Sequence, residues 1–159
     1  MSIFAQVPGI TGGVSDKNFL GWISVDRLEW GSHRNITSNT STKGDRESSN
    51  ATITDLTFIK IMDRATPQIF LETCCGTGKT VKFVMTKTGA GDGADVFIEY
   101  TLYNALFMQM NTTHNGLRPV EKIKISFTSI AVKYITYDED GNAKAPEIVG
   151  FNTATNTKI

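Results

Sequence analysis

The sequence predicts a mainly β fold, a small antiparallel β-barrel of two packed sheets with one short α-helix. Three observations predict it. Thr, Ile and Val are frequent, and glycines separate many short alternating runs, as expected of short strands. Only one stretch combines helical spacing with start and stop signals. The runs follow one another too closely for repeated strand–helix–strand units, which argues against doubly wound and α/β-barrel folds. A chain of 159 residues fits one domain.

The first clear strand lies between Gly21 and Gly31. Trp22, Ser24, Asp26, Leu28 and Trp30 alternate with Ile23, Val25, Arg27 and Glu29, so neither face is cleanly polar. Such a strand has apolar neighbours on both sides for part of its length. Residues 37–51 read TSNTSTKGDRESSNA and hold no large apolar side chain. Loops longer than about 12–15 residues tend to be functional or disordered. The stretch is therefore a tether or docking arm, or a passive insertion.

The β pattern resumes from Asp55 to Met62, with Leu56 and Phe58 opposite Thr57 and Ile59. The helix follows. Thr66 can cap it, Pro67 suits its first turn, and Gly76 suits its stop. Its expected core side chains are Ile69, Phe70, Leu71 and Cys74, because Phe70 and Cys74, like Leu71 and Cys75, are four residues apart. A helix this short is not stable alone in water and must pack on the sheets. With Phe70 as the anchor, Phe70→Ala is expected to cost about 3–5 kcal/mol.

Val81, Phe83 and Met85 mark the next strand, and Lys87 to Asp95 is a glycine-rich turn. Val96 to Met110 is a long apolar run expected to bend or bulge near Asn104. Thr112 to Pro119 is a loop. Ile123, Ile125 and Phe127 share one face of the following strand, whereas Ile130, Val132 and Tyr134 have the opposite parity. That switch requires a bulge or corner near Phe127 and Thr128. Asp138 to Asn142 is a turn, and Val149 to Phe151 a last short strand.

The charge balance narrows the function. Sixteen basic and sixteen acidic residues give a formal net charge of zero. No global basic field exists to draw nucleic acid or anionic lipid. The first ten residues lack a basic segment followed by a long apolar run, so no secretory signal is read, and no run is long enough for a transmembrane helix. The chain is expected to fold in the cytoplasm and, if exported, to leave by a signal-independent machine. The Asn-x-Ser/Thr triplets at Asn35, Asn39, Asn50 and Asn111 then have no glycosylation meaning.

Few motifs carry chemistry. Cys74 and Cys75 are neighbours, lack CxxC spacing, and read as buried helix residues. Gly76-Thr77-Gly78-Lys79-Thr80 resembles the end of a phosphate-binding loop, but Thr73 stands where its first glycine belongs. A helix also precedes it and a strand follows, the reverse of the nucleotide-binding order. His33 and His114 have no neighbouring ligand cluster, and Asp138 to Asp140 lack the full calcium-loop pattern. No catalytic, cofactor or metal residue is assigned, and no enzyme activity is expected. Lys122, Lys124 and Lys133 form a sparse basic stripe, either solvated or in contact with a neighbouring subunit or cargo. A structural assembly or a binding module remains.

The order of the motifs resembles the Hcp family, whose members form the inner tube of type VI secretion systems. The similarity runs through Gly9-Ile10-Thr11-Gly12, Gly21-Trp22-Ile23, Leu28-Glu29-Trp30-Gly31, Asp55-Leu56-Thr57-Phe58-Ile59-Lys60 and Asp63-Arg64-Ala65-Thr66-Pro67. It continues at Cys74-Cys75-Gly76, Glu121 to Phe127, Val132-Lys133-Tyr134 and Gly150-Phe151-Asn152. The chain departs at Asp26 to Trp30, where many relatives carry Ser-Trp-Ser-Trp.

The resemblance implies one tube domain over residues 1–159 and no cofactor. It implies self-association into homohexameric rings that stack into a tube around a lumen. It further implies sheath and spike proteins as partners, small effectors as cargo, and no membrane insertion. Release goes to the extracellular space or a target cell. Residues 37–51 fall where the family carries a loop that reaches a neighbouring subunit or ring, which implies Thr42, Lys43, Gly44, Asp45, Arg46 and Glu47 as assembly residues. Deleting Ser41 to Ser49 is expected to leave a folded, ring-competent protomer and to weaken stacking. Unchanged tubes in electron micrographs would refute the arm.

Overall fold

The computed structural model describes residues 1–36, 50–88 and 94–159. It is mainly β with one short helix. The strands are Ser2–Gln6 (β1), Ile23–Val25 (β2), Arg27–Glu29 (β3), Ser32–His33 (β4), Thr52–Ile53 (β5) and Leu56–Ile61 (β6). After the helix Thr66–Cys75 (α1) come Lys79–Thr88 (β7), Ala94–Thr113 (β8), Val120–Ser126 (β9), Ser129–Tyr134 (β10), Glu147–Asn152 (β11) and Thr157–Lys158 (β12). All pairings are antiparallel.

One ladder runs β12-β11-β10-β8-β7-β1-β2; a second runs β3-β6-β9 and meets the first at β8. β8 is long enough to serve both. Its first part, up to Ala105, pairs β7 and β10; from Leu106 onward it pairs β9. The change falls at Asn104, which has φ 53°, a left-handed conformation that Asn tolerates better than most residues. A register shift follows between Phe107 and Gln109. The predicted bend therefore lies where the strand passes between sheets. The predicted parity switch near Phe127 and Thr128 is the gap between β9 and β10.

The expected strand from Gly21 to Gly31 divides at Asp26. β2 pairs β1 and β3 pairs β6, while the Asp26 N–H donates to the Ile59 carbonyl at 2.8 Å. Among the described residues the ladder does not close through β2 and β3, so the expected barrel is seen as two antiparallel sheets around one core. That core includes Ile23, Val25, Leu56, Phe58, Val81, Phe83, Leu102, Phe107, Ile123, Ile125 and Ile130. Phe58 and Phe83 meet edge to face across it, centroids 5.4 Å apart. A smaller apolar cluster on the other side of the first sheet joins Phe4, Phe19 and Val84 with Trp22. The segment before β2 covers that outer face: Gly12 N–H donates to Gly21 O at 2.7 Å, and a Cβ on Gly12 would strike the Trp22 carbonyl at 2.3 Å. The apolar second face near Trp22 is thus satisfied within the chain.

The helix ends where predicted but faces differently. Ile69 is fully buried, and Ala65, Thr66, Glu72, Thr73 and Gly76 continue its stripe at helical spacing. Phe70, Leu71, Cys74 and Cys75 lie on the outer side; Phe70 is 61% exposed and Leu71 51%. The expectation that Phe70, Leu71 and Cys74 are core residues, and that both cysteines are buried, is corrected. A helix packed on one side only buries a single stripe, and that stripe passes through Ile69. Thr66 also does not cap. It is the first helical residue, and its hydroxyl donates to Glu121 Oε1 at 2.6 Å. Gly76 closes the helix in an extended conformation, its N–H donating to Glu72 O at 2.9 Å, where a Cβ would collide with Glu72.

A buried ionic cluster fixes the helix start. Lys60 and Glu121 are both fully buried, and Lys60 Nζ lies 2.7 Å from Glu121 Oε2. That oxygen is held by the ion contact without a well-directed hydrogen bond. Lys60 Nζ also donates to Asp63 Oδ1 at 2.8 Å, and Asp63 Oδ1 accepts the Ala65 N–H at 2.9 Å. Strand β6, strand β9 and the helix are thereby joined by one polar cluster.

Two stability predictions follow from these placements. Ile69→Ala is expected to cost about 2–5 kcal/mol in urea unfolding, whereas Phe70→Ala in the isolated chain costs less than about 1 kcal/mol; equal losses would refute the helix orientation. Lys60→Ala alone is expected to cost about 3–5 kcal/mol because it strands the Glu121 carboxylate, while Lys60→Met with Glu121→Leu recovers most of the loss. A double variant no more stable than the single one would show that the pair does more than neutralise itself.

Candidate functional site

Apart from the buried Lys60–Glu121 cluster, the chemistry-bearing side chains singled out in the sequence are not brought together among the described residues. Among the described residues no three His, Cys, Asp or Glu side chains group in a metal-binding arrangement. No described helix is long and apolar enough to cross a membrane. The Gly76 to Thr80 segment joins the end of α1 to the start of β7, and Gly78 packs so tightly on Asn104 that a Cβ there would lie 2.0 Å from its Oδ1. What the molecule presents instead is surface.

Among the described residues, exposed apolar side chains include groups on three elements. The first is the outer side of α1, with Phe70 and Leu71. The second is on β8 after its bend, where Leu106 and Met108 are exposed. The third is β11, with Ile148 61% and Val149 58% exposed. Over Glu147 to Val149, β11 pairs β10 on one side only, since β12 reaches just Phe151 and Asn152. A strand edge of this kind offers unpaired backbone groups to another chain.

The expected assembly residues Thr42, Lys43, Gly44, Asp45, Arg46 and Glu47 lie outside the described residues. The base from which that segment leaves is described. β4 and β5 form a two-stranded ribbon, Ser32 opposite Ile53 and His33 opposite Thr52. Below it, Thr54 and Gly31 exchange bonds: Gly31 N–H donates to Thr54 Oγ1, and Thr54 N–H to Gly31 O, both at 2.8 Å. Asn156 Nδ2 donates to Asn50 Oδ1 at 3.0 Å and ties the base to the C-terminal turn. An open polar groove of about 680 Å³ flanks the ribbon, lined by Trp30, Thr52, Asp55, Lys122 and Lys124. An apolar cleft of about 270 Å³ on the other side is lined by Ile53, Ile130, Val132, Val149 and Phe151.

The basic stripe divides. Lys122 and Lys124 lie on β9 in the second sheet, whereas Lys133 lies on β10 in the first. Lys122 and Lys124 make no ion pair among the described residues, while Lys82 pairs Glu99 at 3.3 Å and Lys79 pairs Glu72 at 2.5 Å. Beside the Asp138–Asn142 turn, Tyr137 Oη donates to Val96 O at 2.5 Å, and Lys87 Nζ sits 4.4 Å from its ring centroid. Burial, aided by the nearby Asp95 carboxylate, raises the Tyr137 phenol above its ordinary pKa.

The Lys60–Glu121 cluster is the feature that strand reading missed. Its signal was available: Lys60 has the parity of buried Leu56 and Phe58, and Glu121 that of Ile123 and Ile125. Opposite charges ending two inward rows mark a buried pair.

The family model described as type VI secretion system effector, Hcp, matches residues 4–134. No curated protein matches the chain. Among solved structures, a type six secretion system protein aligns with a TM-score of 0.87 at 21% identity, covering 99% of each chain. Hcp1 from Salmonella typhimurium aligns with a TM-score of 0.76 at 22% identity, covering 99% of this chain and 98% of that one. Hcp2 from the same organism aligns with a TM-score of 0.73 at 20% identity, covering 99% of both. Likeness at these identities is a likeness of fold.

Proposed function

The chain belongs to the Hcp family of the type VI secretion system, and from that membership we propose that it is a structural subunit of the secretion tube. Six copies close head to tail into a ring. Rings stack into a tube that a contracting sheath expels behind a spike protein, and small effectors travel in its lumen. The protein works by assembled shape and turns nothing over. Within the ring, the two sheets and the corner at Asp26 act as a barrel-like wall, and residues 37–51 are the arm that reaches a neighbouring copy.

The observation that carries this reading is the uncovered apolar side of α1, together with exposed apolar side chains on β8 and β11. Contiguous exposed apolar area marks interaction surface. A head-to-tail ring needs two different complementary faces on each subunit, and a monomer that exposes Phe70 and Leu71 in one place and Ile148 and Val149 in another supplies separate faces. A catalytic reading would need polar groups converging in an enclosed pocket, whereas the polar groove beside the ribbon is open.

Light scattering coupled to size exclusion is expected to give a particle of about six times 17.4 kDa. Phe70→Asp with Leu71→Asp is expected to reduce that particle to protomers while the protomer's unfolding changes by less than about 1 kcal/mol. An unchanged ring would remove the helix face from the interface, and a wild-type monomer at high concentration would overturn the tube.

A further inference from the structure

We propose that Asn115–Gly116 is a self-modification site at which Asn115 deamidates without an enzyme, giving a chain with an added negative charge in the loop between β8 and β9. Asn115 is the only asparagine in the sequence followed by glycine. Gly116 takes φ +86°, it carries no side chain to hinder attack by its nitrogen, and the space where a Cβ would stand is open to 4 Å apart from its chain neighbours. Asn115, Gly116, Leu117 and Arg118 are all exposed, which admits water and hydroxide.

The carboxamide is already polarised. Leu117 N–H donates to Asn115 Oδ1 at 3.3 Å. That oxygen becomes the oxyanion when the amide carbon is attacked, so the Leu117 N–H acts as a ready donor for developing charge. By contrast, Asn104 precedes Ala105, which is fully buried on β8. Its following nitrogen has no comparable access.

The chemistry balances with water alone. The Gly116 backbone nitrogen loses its proton to solvent base and attacks Asn115 Cγ, forming the ring C–N bond of a succinimide. The Cγ–Nδ2 bond breaks, and Nδ2 takes up a proton and leaves as ammonia. Water then opens the ring. Addition at Cγ gives aspartate, and addition at the Asn115 main-chain carbonyl gives isoaspartate, whose backbone runs through the side-chain carbon. No oxidant or reductant takes part. Because the intact chain has a formal net charge of zero, one event makes it an anion. The new carboxylate arises near Arg118, whose guanidinium donates to Met62 O at 2.8 Å and holds this loop against the end of β6. The loop thereby records the age of the chain as charge.

The test is incubation of the full chain for days at neutral and mildly alkaline pH, followed by ion exchange and peptide mass mapping. The expected result is a growing acidic species whose mass gain, the replacement of NH2 by OH, maps to the peptide bearing Asn115. Part of it should be isoaspartate, and its formation should speed up with pH. Asn115→Gln, which needs a larger ring, is expected to slow the acidic species by at least about tenfold while leaving circular dichroism unchanged. An Asn115 peptide that stays intact, or a mass gain that appears first at another asparagine, would overturn the proposal.

Discussion

Lys60 and Glu121 meet in the interior where β6, β9 and the start of α1 converge, with no solvent reaching either side chain. Burying one charge alone is costly. Burying both is tolerable only with close geometry and further hydrogen bonds. The cluster meets that condition: Asp63 takes a second proton of the ammonium, and Thr66 donates to the free side of the carboxylate. Since Asp63 and Thr66 belong to the turn that begins the helix, the pair dictates where α1 starts and how it is rotated. The burial of Ile69 and the exposure of Phe70 follow from that rotation.

The second constraint is continuity. β8 belongs to both sheets, so their relative placement is set by one backbone bend at Asn104 and one register shift beyond it. Asp26 does the corresponding work on the other side, where β2 gives way to β3. Two corners thus hold two short ladders around a core that neither ladder could bury alone. The segment covering Phe4 and Val84 adds a third layer over part of the first sheet. A protomer of this design is completed internally on one face and left open on others.

Those open faces connect fold to function. The chain carries no charge excess to favour a polyanionic partner, and exposed apolar side chains occur on α1, on β8 after its bend and on β11. Apolar side chains left uncovered in this way are the surface through which the proposed contacts with other copies would run. A formal net charge of zero also removes the self-repulsion that would oppose the proposed association.

Much of this was legible in the amino-acid order. Alternation located β6, β7, β8 and β9, the parity change at Phe127 located the β9–β10 corner, and the Pro67 and Gly76 signals bounded the helix. These are local properties, set by side-chain period and backbone preference over a few residues. The strand β1, the division at Asp26 and the short ribbons β4–β5 and β12 were not legible, because each depends on a partner distant in the chain. The helix face was misread for a related reason. Phe70, Leu71 and Cys74 have apolar spacing as good as that of Ile69, so the period alone does not choose between them. The choice was made by tertiary structure, through Thr66 and Asp63 bound to a lysine and a glutamate on two strands. The sequence by itself determined the β class, the single helix and the family. Which apolar residues became core and which became outer surface was decided only when a buried ion pair oriented the helix.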